Sequence, residues 1–340
     1  MIKKMIILLI ILLPAICFAR TAEKIPELTA VAEYRFPREK LTKENIAQYL
    51  LAYMIAPSGI AIKDNYLYVS DTYNHCIQAL KITPDASLSF GFTFGKKGVE
   101  KGEFSNPKGL LVKGEYLYVC DSANRRIQVL KINNDGILSA GSVFGKEGQG
   151  NGEFLWPNKL AVKDDYLYVS DGQSRPEENH RIQVLKINKD GTLSTGFTFG
   201  KKGEGKGEFD VPSGLAVKGD YLYISEAENN RIQALKINNK GILSTGFTFG
   251  KKGEGKGEFH TPHSLVVKGN NLYVCDLINN YIQILKIADN GTLSFLSQFG
   301  GPGGGRLGDL HGPEDIVIKD DYLFTIDYYN NRVQVFKIKE

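Results

Sequence analysis

The stretch Gly102-Glu103-Phe104-Ser105-Asn106-Pro107-Lys108-Gly109-Leu110-Leu111-Val112-Lys113 sets the pattern for the rest of the chain. Two turn residues follow, then Tyr116-Leu117-Tyr118-Val119-Cys120-Asp121, a polar loop, Arg126-Ile127-Gln128-Val129-Leu130-Lys131-Ile132, a second turn, and Ser142-Val143-Phe144-Gly145. The unit recurs six times. Its anchor prolines are Pro57, Pro107, Pro157, Pro212, Pro262 and Pro313, spaced 50, 50, 55, 50 and 51 residues apart. A period of this length marks stacked supersecondary units, each unable to bury its apolar faces alone.

The turns show how each unit is wound. Asp64-Asn65, Gly114-Glu115, Asp164-Asp165, Gly219-Asp220, Gly269-Asn270 and Asp320-Asp321 are two-residue connections of the kind that suit paired antiparallel strands. Asp135-Gly136, Asp190-Gly191, Lys240-Gly241 and Asn290-Gly291 join the third strand to the fourth. Runs such as Tyr166-Leu167-Tyr168-Val169 have no polar face, which suits a sheet covered on both sides. The expected fold is therefore all-β: a six-bladed propeller of four-stranded antiparallel blades. The last unit stops at its third strand, Val333 to Glu340, and Leu28–Phe36 is the candidate to complete it and hide both open edges. Between that strand and the first anchor, Ile46, Tyr49, Leu50 and Tyr53 fall at helical spacing behind Thr42, predicting one short helix near residues 42–54.

Residues 1–19 read as a secretory signal: Lys3 and Lys4, an apolar run from Met5, and small Ala19 before the cut. The run is short of the roughly 20 apolar residues that span a bilayer. The expected mature chain, 20–340, is one propeller domain in the periplasm or outside the cell, a monomer and not an integral membrane protein. A lipid-anchored product cut at Cys17 is disfavoured by the bulk of Ile16. The formal net charge of +4 falls to +2 without Lys3 and Lys4, and no block of like charge points to nucleic acid. Cys120 and Cys275 occupy the same slot in nearly opposite units, too far apart for a disulfide.

The Gly-x-Phe before four of the six anchors, as in Gly102-Glu103-Phe104, and the Tyr-Val-x-Asp … Asn-x-Arg-Ile-Gln run after the anchors resemble the NHL repeat family, with Glu226 in place of one Asp and Cys76 and Tyr281 in place of the Arg. The resemblance runs from about Thr29 to Glu340 and implies a six-bladed propeller whose pre-anchor loops share a face with the loops between second and third strands. Recurrence in nearly every unit makes those Asp, Asn and Arg residues structural. Function belongs where the units differ.

Two departures concentrate on that face. The third unit carries five extra residues between Asp171 and Asn179, including Gln173, Arg175 and Glu177. The residue after each anchor varies: Ser58, Lys108, Asn158, Ser213, His263 and Glu314. Lys108, Asn158, Gln173, Arg175, Glu177, His263 and Glu314 are therefore the candidate ligand-binding residues. His260 and His311 stand two positions before their anchors, so His260, His263, His311 and Glu314 form a candidate metal or acid–base sector. Zinc or calcium is the metal such groups would hold; no other cofactor is expected. Pro262-His263-Ser264-Leu265 resembles one part of the zinc site of peptide-amidating lyases that share this propeller, but Glu314 and Ser58 stand where their other histidines would fall. The leading expectation is a non-enzymatic binding scaffold for a protein, peptide or envelope component. The alternatives are a propeller lyase or hydrolase using the histidine sector, and a structural spacer in a surface assembly. The six lysines that end the first strands, Lys63 to Lys319, face the opposite side and are diluted by acidic turns.

Overall fold

A computed structural model describes residues 25–34, 54–173, 179–301 and 306–339. Six four-stranded antiparallel sheets are arranged as expected, five of them meanders in strict sequence order. Blade 1 illustrates the build: Pro57–Lys63, Tyr66–Asp71, Cys76–Ile82 and Leu88–Phe94. The sixth blade is completed from the other end of the chain. Glu27–Tyr34 pairs antiparallel with Arg332–Lys339, from Glu27 opposite Lys339 to Tyr34 opposite Val333. The segment expected to form a helix lies outside the described residues up to position 53, and Met54 is irregular and buried.

The core is distributed between blades, because each sheet is apolar on both faces. One wedge packs Tyr68, Ile77 and Ala79 of blade 1 on Leu117, Val119 and Leu130 of blade 2. The wedge at the seam packs Leu67, Val69 and Leu80 on Phe324, Val333 and Val335. The aromatic position shared by all six units belongs to these wedges. Tyr68, Tyr118, Tyr168 and Tyr223 are fully buried. Their hydroxyls donate to the carbonyls of Gly136, Gly191, Gly241 and Gly291 in the following blade, at 2.6, 3.0, 3.2 and 2.8 Å. A buried phenol needs such an acceptor, so the tyrosine serves as both packing and latch.

The repeated polar residues form a clasp. Asp121, fully buried, accepts from Arg126 Nε at 2.7 Å, Asn124 Nδ2 at 2.9 Å, Gln128 Nε2 at 3.0 Å and the Ser105 amide at 2.7 Å. Arg126 also donates to the carbonyls of Glu100 and Glu103, tying the pre-anchor loop to the strand edge. Glu226 keeps the arrangement in blade 4, reaching Arg231 at 2.7 Å and Asn229 at 2.6 Å. Where Cys76 removes the guanidinium, Asp71 keeps Asn74 and Gln78, and burial pushes its carboxyl up to about 6. Cys76, Cys120 and Cys275 are all buried free thiols.

At the seam the clasp gains a partner on the closing strand. Arg332, fully buried, holds Asp327 at 2.6 Å and Glu33 at 2.5 Å, and donates to the Arg306 and Asp309 carbonyls. Arg332→Leu should destabilise the protein by about 3–5 kcal/mol in denaturant unfolding, because it leaves Asp327 buried without its cation. The exposed pair Lys319–Asp320, at 2.9 Å, should be worth under about 1 kcal/mol. Equal costs for the two would show that the seam is not built as described.

Candidate functional site

Each blade carries one extra residue at the start of its first strand. In blade 3, Pro157 pairs with Asp171 and the register shifts before Leu160 pairs with Val169; the other blades repeat the irregularity. A bulge re-aims side chains, here at the two residues after each anchor, where the six blades meet at the central channel. In blades 1, 2 and 4 the second of these residues is Gly59, Gly109 or Gly214. A Cβ there would come within 2.1–2.4 Å of a carbonyl of the next blade. Blades 3 and 6 replace that glycine with Lys159 and Asp315.

Lys159 and Asp315 form a buried ion pair, 2.8 Å apart, between opposite blades. Lys159 also donates to the Ser58 carbonyl. Asp315 accepts from the Ile60 amide at 3.0 Å, the Ile316 amide at 2.9 Å and the Ser264 hydroxyl. One ammonium and one carboxylate thus engage blades 1, 3, 5 and 6 across the axis.

Beside this pair a cavity of about 360 Å³ opens on the face of the pre-anchor loops. Lys108, Gln173, His263 and Glu314, four of the seven sequence candidates, line it. His263 Nδ1 lies 3.4 Å from Glu314 Oε1 and 3.3 Å from the Glu314 carbonyl. Both partners are acceptors, so the proton sits on Nδ1 and Nε2 is left as an acceptor. Burial holds the His263 pKa below its ordinary value; Glu314 opposes this, and the ammoniums of Lys159 and Lys108 reinforce it. The ring is therefore neutral at pH 7. Burial likewise lowers the pKa of Lys108. Lys108 Nζ stands 5.8 Å from the centre of the Trp156 ring, and Arg125 lies 4.8 Å from the same ring.

The other wall is aromatic. Tyr73, Tyr328 and Tyr329 line it; Tyr73 and Tyr329 are 56% and 52% exposed. The Tyr328 phenol is pushed up to about 12, mainly by burial, with Tyr73, Glu314 and Tyr329 adding to the effect. It remains a donor throughout the physiological range.

The remaining candidates fall elsewhere. Asn158 is buried beside the channel, donating to Ser213 Oγ at 3.3 Å. Arg175 and Glu177 lie outside the described residues. His260 is half-buried, and its backbone amide donates to Asp276. His311 is exposed and lies against Tyr329 with the rings tilted, 4.7 Å between ring centres. Among the described residues no three His, Cys, Asp or Glu side chains converge as metal ligands would. His263 and Glu314 alone of the four proposed ligands are in contact, and they do not fit a zinc or calcium site of lyase type. The lysines of the opposite face are largely engaged: Lys113, Lys163 and Lys268 reach acidic turn residues of the next blade at 3.0, 2.5 and 2.7 Å.

Sequence reasoning passed over Lys159, Asp315, Trp156 and the tyrosines. The first two were legible as breaks in a glycine slot. It also left His75 and His180 unassigned. Their Nδ1 atoms accept the amides of Asn106 and Val211 at 3.0 Å, where Asn230, Asn280 and Asn331 do the same elsewhere.

Residues 56–80 match the NHL repeat, and residues 106–125 and 212–230 match the LVIVD repeat. The chain carries an NHL repeat. No curated protein sequence matches it. Among solved structures it is similar to the PQQ-bound aldose sugar dehydrogenase of Streptomyces coelicolor, at 15% identity over 92% of this chain and 98% of that one, with a TM-score of 0.55. It is also similar to the hydrazine synthase of Kuenenia stuttgartiensis, at 12% identity over 83% of each chain and a TM-score of 0.53. A protein from Lactobacillus plantarum matches at 18% identity over 80% and 77%, with a TM-score of 0.54. At these identities the likeness is one of fold. No helix among the described residues is long and apolar enough to cross a membrane.

Lys159→Met should cost about 3–5 kcal/mol in denaturant unfolding, since Asp315 would be stranded in the channel. Adding Asp315→Leu should recover much of that loss. A double variant less stable than either single one would contradict the cross-channel pairing.

Proposed function

We propose that the protein is an exported, non-enzymatic binding propeller whose partner, a protein, peptide or envelope component, engages the face around the channel mouth. One observation carries this reading. The cavity sits where the six blades lose their equivalence, while the recurring Asp, Asn, Arg and Tyr residues are consumed in clasps and latches. A ring presenting, at its channel mouth, a pocket with a polar floor and an exposed aromatic wall is suited to recognition. The His263–Glu314 pair supports a second reading, a lyase- or hydrolase-type enzyme with a neutral imidazole as base.

The two readings separate experimentally. Mature protein carrying a tag at its end should capture an envelope component that the Tyr73→Ala/Tyr329→Ala variant captures about tenfold less, whereas Glu314→Gln leaves any chemical conversion of that component unchanged at zero. Both side chains are more than half exposed, so the double variant should fold. Identical capture by both proteins would remove the channel mouth as the site, and turnover lost in Glu314→Gln would favour the enzyme. In the same preparation, a chain beginning near Arg20 would support export; retention of residues 1–19 would oppose it.

A further inference from the structure

The pocket's chemistry narrows the ligand, on the reading that the channel mouth is the binding site. Its depth holds both signs of charge. Lys108 supplies an ammonium, with no ion-pair partner among the described residues, and Glu314 supplies a carboxylate whose near neighbour is the neutral His263. A simple anion placed there would face Glu314, and a simple cation would face Lys108. A planar apolar ligand would strip water from both without replacing its hydrogen bonds, which is costly.

A neutral ligand bearing several hydroxyls uses the same groups well. Each hydroxyl both donates and accepts. The ammonium and the phenol of Tyr328 offer protons; Glu314 and Nε2 of His263 accept them. Tyr73 and Tyr329, both more than half exposed, then offer aromatic surface to the C–H side of such a ligand. The volume, about 360 Å³, is at the lower end of the roughly 300–1,000 Å³ of small-molecule sites and suits one or two rings rather than a longer polymer segment.

From this juxtaposition of an ammonium, a carboxylate, an imidazole and exposed tyrosines in one pocket, we propose that the channel mouth binds the terminal unit of an uncharged saccharide. The source would be a glycan of the cell envelope. The lone tryptophan of the chain makes the proposal directly measurable, because Trp156 lines this pocket beside Lys108. Its fluorescence should respond when the pocket fills.

The experiment titrates full-length mature protein with glucose, galactose, N-acetylglucosamine and their β-linked disaccharides, alongside acetate, choline and alanyl-alanine as anion, cation and zwitterion. The expected result is a saturable change with at least one saccharide, with affinity unaltered between about 20 and 500 mM NaCl because the ligand carries no charge. Tyr73→Ala/Tyr329→Ala should weaken that binding about tenfold or more. Lys108→Met and Glu314→Gln should each weaken it, since one removes a donor and the other an ionic acceptor. A response confined to acetate, choline or the dipeptide would overturn the proposal, as would a flat response to every saccharide up to about 50 mM. If the double tyrosine variant loses its envelope partner while no saccharide titrates, the binding reading stands and the saccharide assignment falls.

Discussion

Every blade of this protein is a sheet with two apolar faces, and only a closed ring covers both. The faces are covered by neighbours in six equivalent wedges. The edges are harder, because a chain that begins and ends between blades leaves one sheet unfinished. Pairing of Glu27–Tyr34 with Arg332–Lys339 resolves this, and Arg332 fastens the pair by holding Glu33 and Asp327 at once. The first and last described strands thus meet in one sheet, and the ring closes through that pairing. The channel, its mouth and the opposition of blades 3 and 6 exist only because the ring is complete.

Repetition and exception divide the labour. The carboxylate clasp, with its Arg in four of the six blades, ties pre-anchor loops to their own blades, and the tyrosine latches of blades 1 to 4 each tie a blade to the next. Such residues would look catalytic in isolation, yet their hydrogen-bonding capacity is consumed internally. The residues that break the repeat meet at the axis. A glycine slot filled by Lys159 and Asp315 sets a buried pair across the channel. The neighbouring slot filled by Lys108, His263 and Glu314 lines the cavity beside it.

The fold was legible almost entirely from sequence, because spacing, turn chemistry and two-sided apolar strands are local signals repeated six times. Three of the seven candidate pocket residues, Lys108, His263 and Glu314, were legible for a related reason: comparing one slot across the units isolates what differs; Gln173 was legible as part of the insertion in the third unit. Asn158 occupies the same slot but turns to Ser213 in the neighbouring blade, and slot identity alone does not reveal that. His311 was placed near His263 by its position relative to an anchor, but it lies on the exposed ring of Tyr329. Lys159 and Asp315 were overlooked because the comparison stopped one residue short of the glycine slot. The tyrosine wall comes from loops of two blades that are adjacent only after closure, Tyr73 in the first and Tyr328 and Tyr329 in the sixth. No local pattern joins residues so distant in the chain. Arg175, Glu177 and residues 42–53 lie outside the described structure.

The central claim is that the amino-terminal strand is an integral part of the sixth blade. Amide hydrogen exchange of the mature protein, read by mass spectrometry on peptides covering 25–34, measures this most directly. The account predicts that the amides of Leu28 to Tyr34 bonded to the last strand exchange as slowly as those of Arg332–Lys339, and that both segments lose protection together as denaturant rises. Exchange of 27–34 at the rate of an unstructured chain, with the rest of the ring still protected, would contradict it.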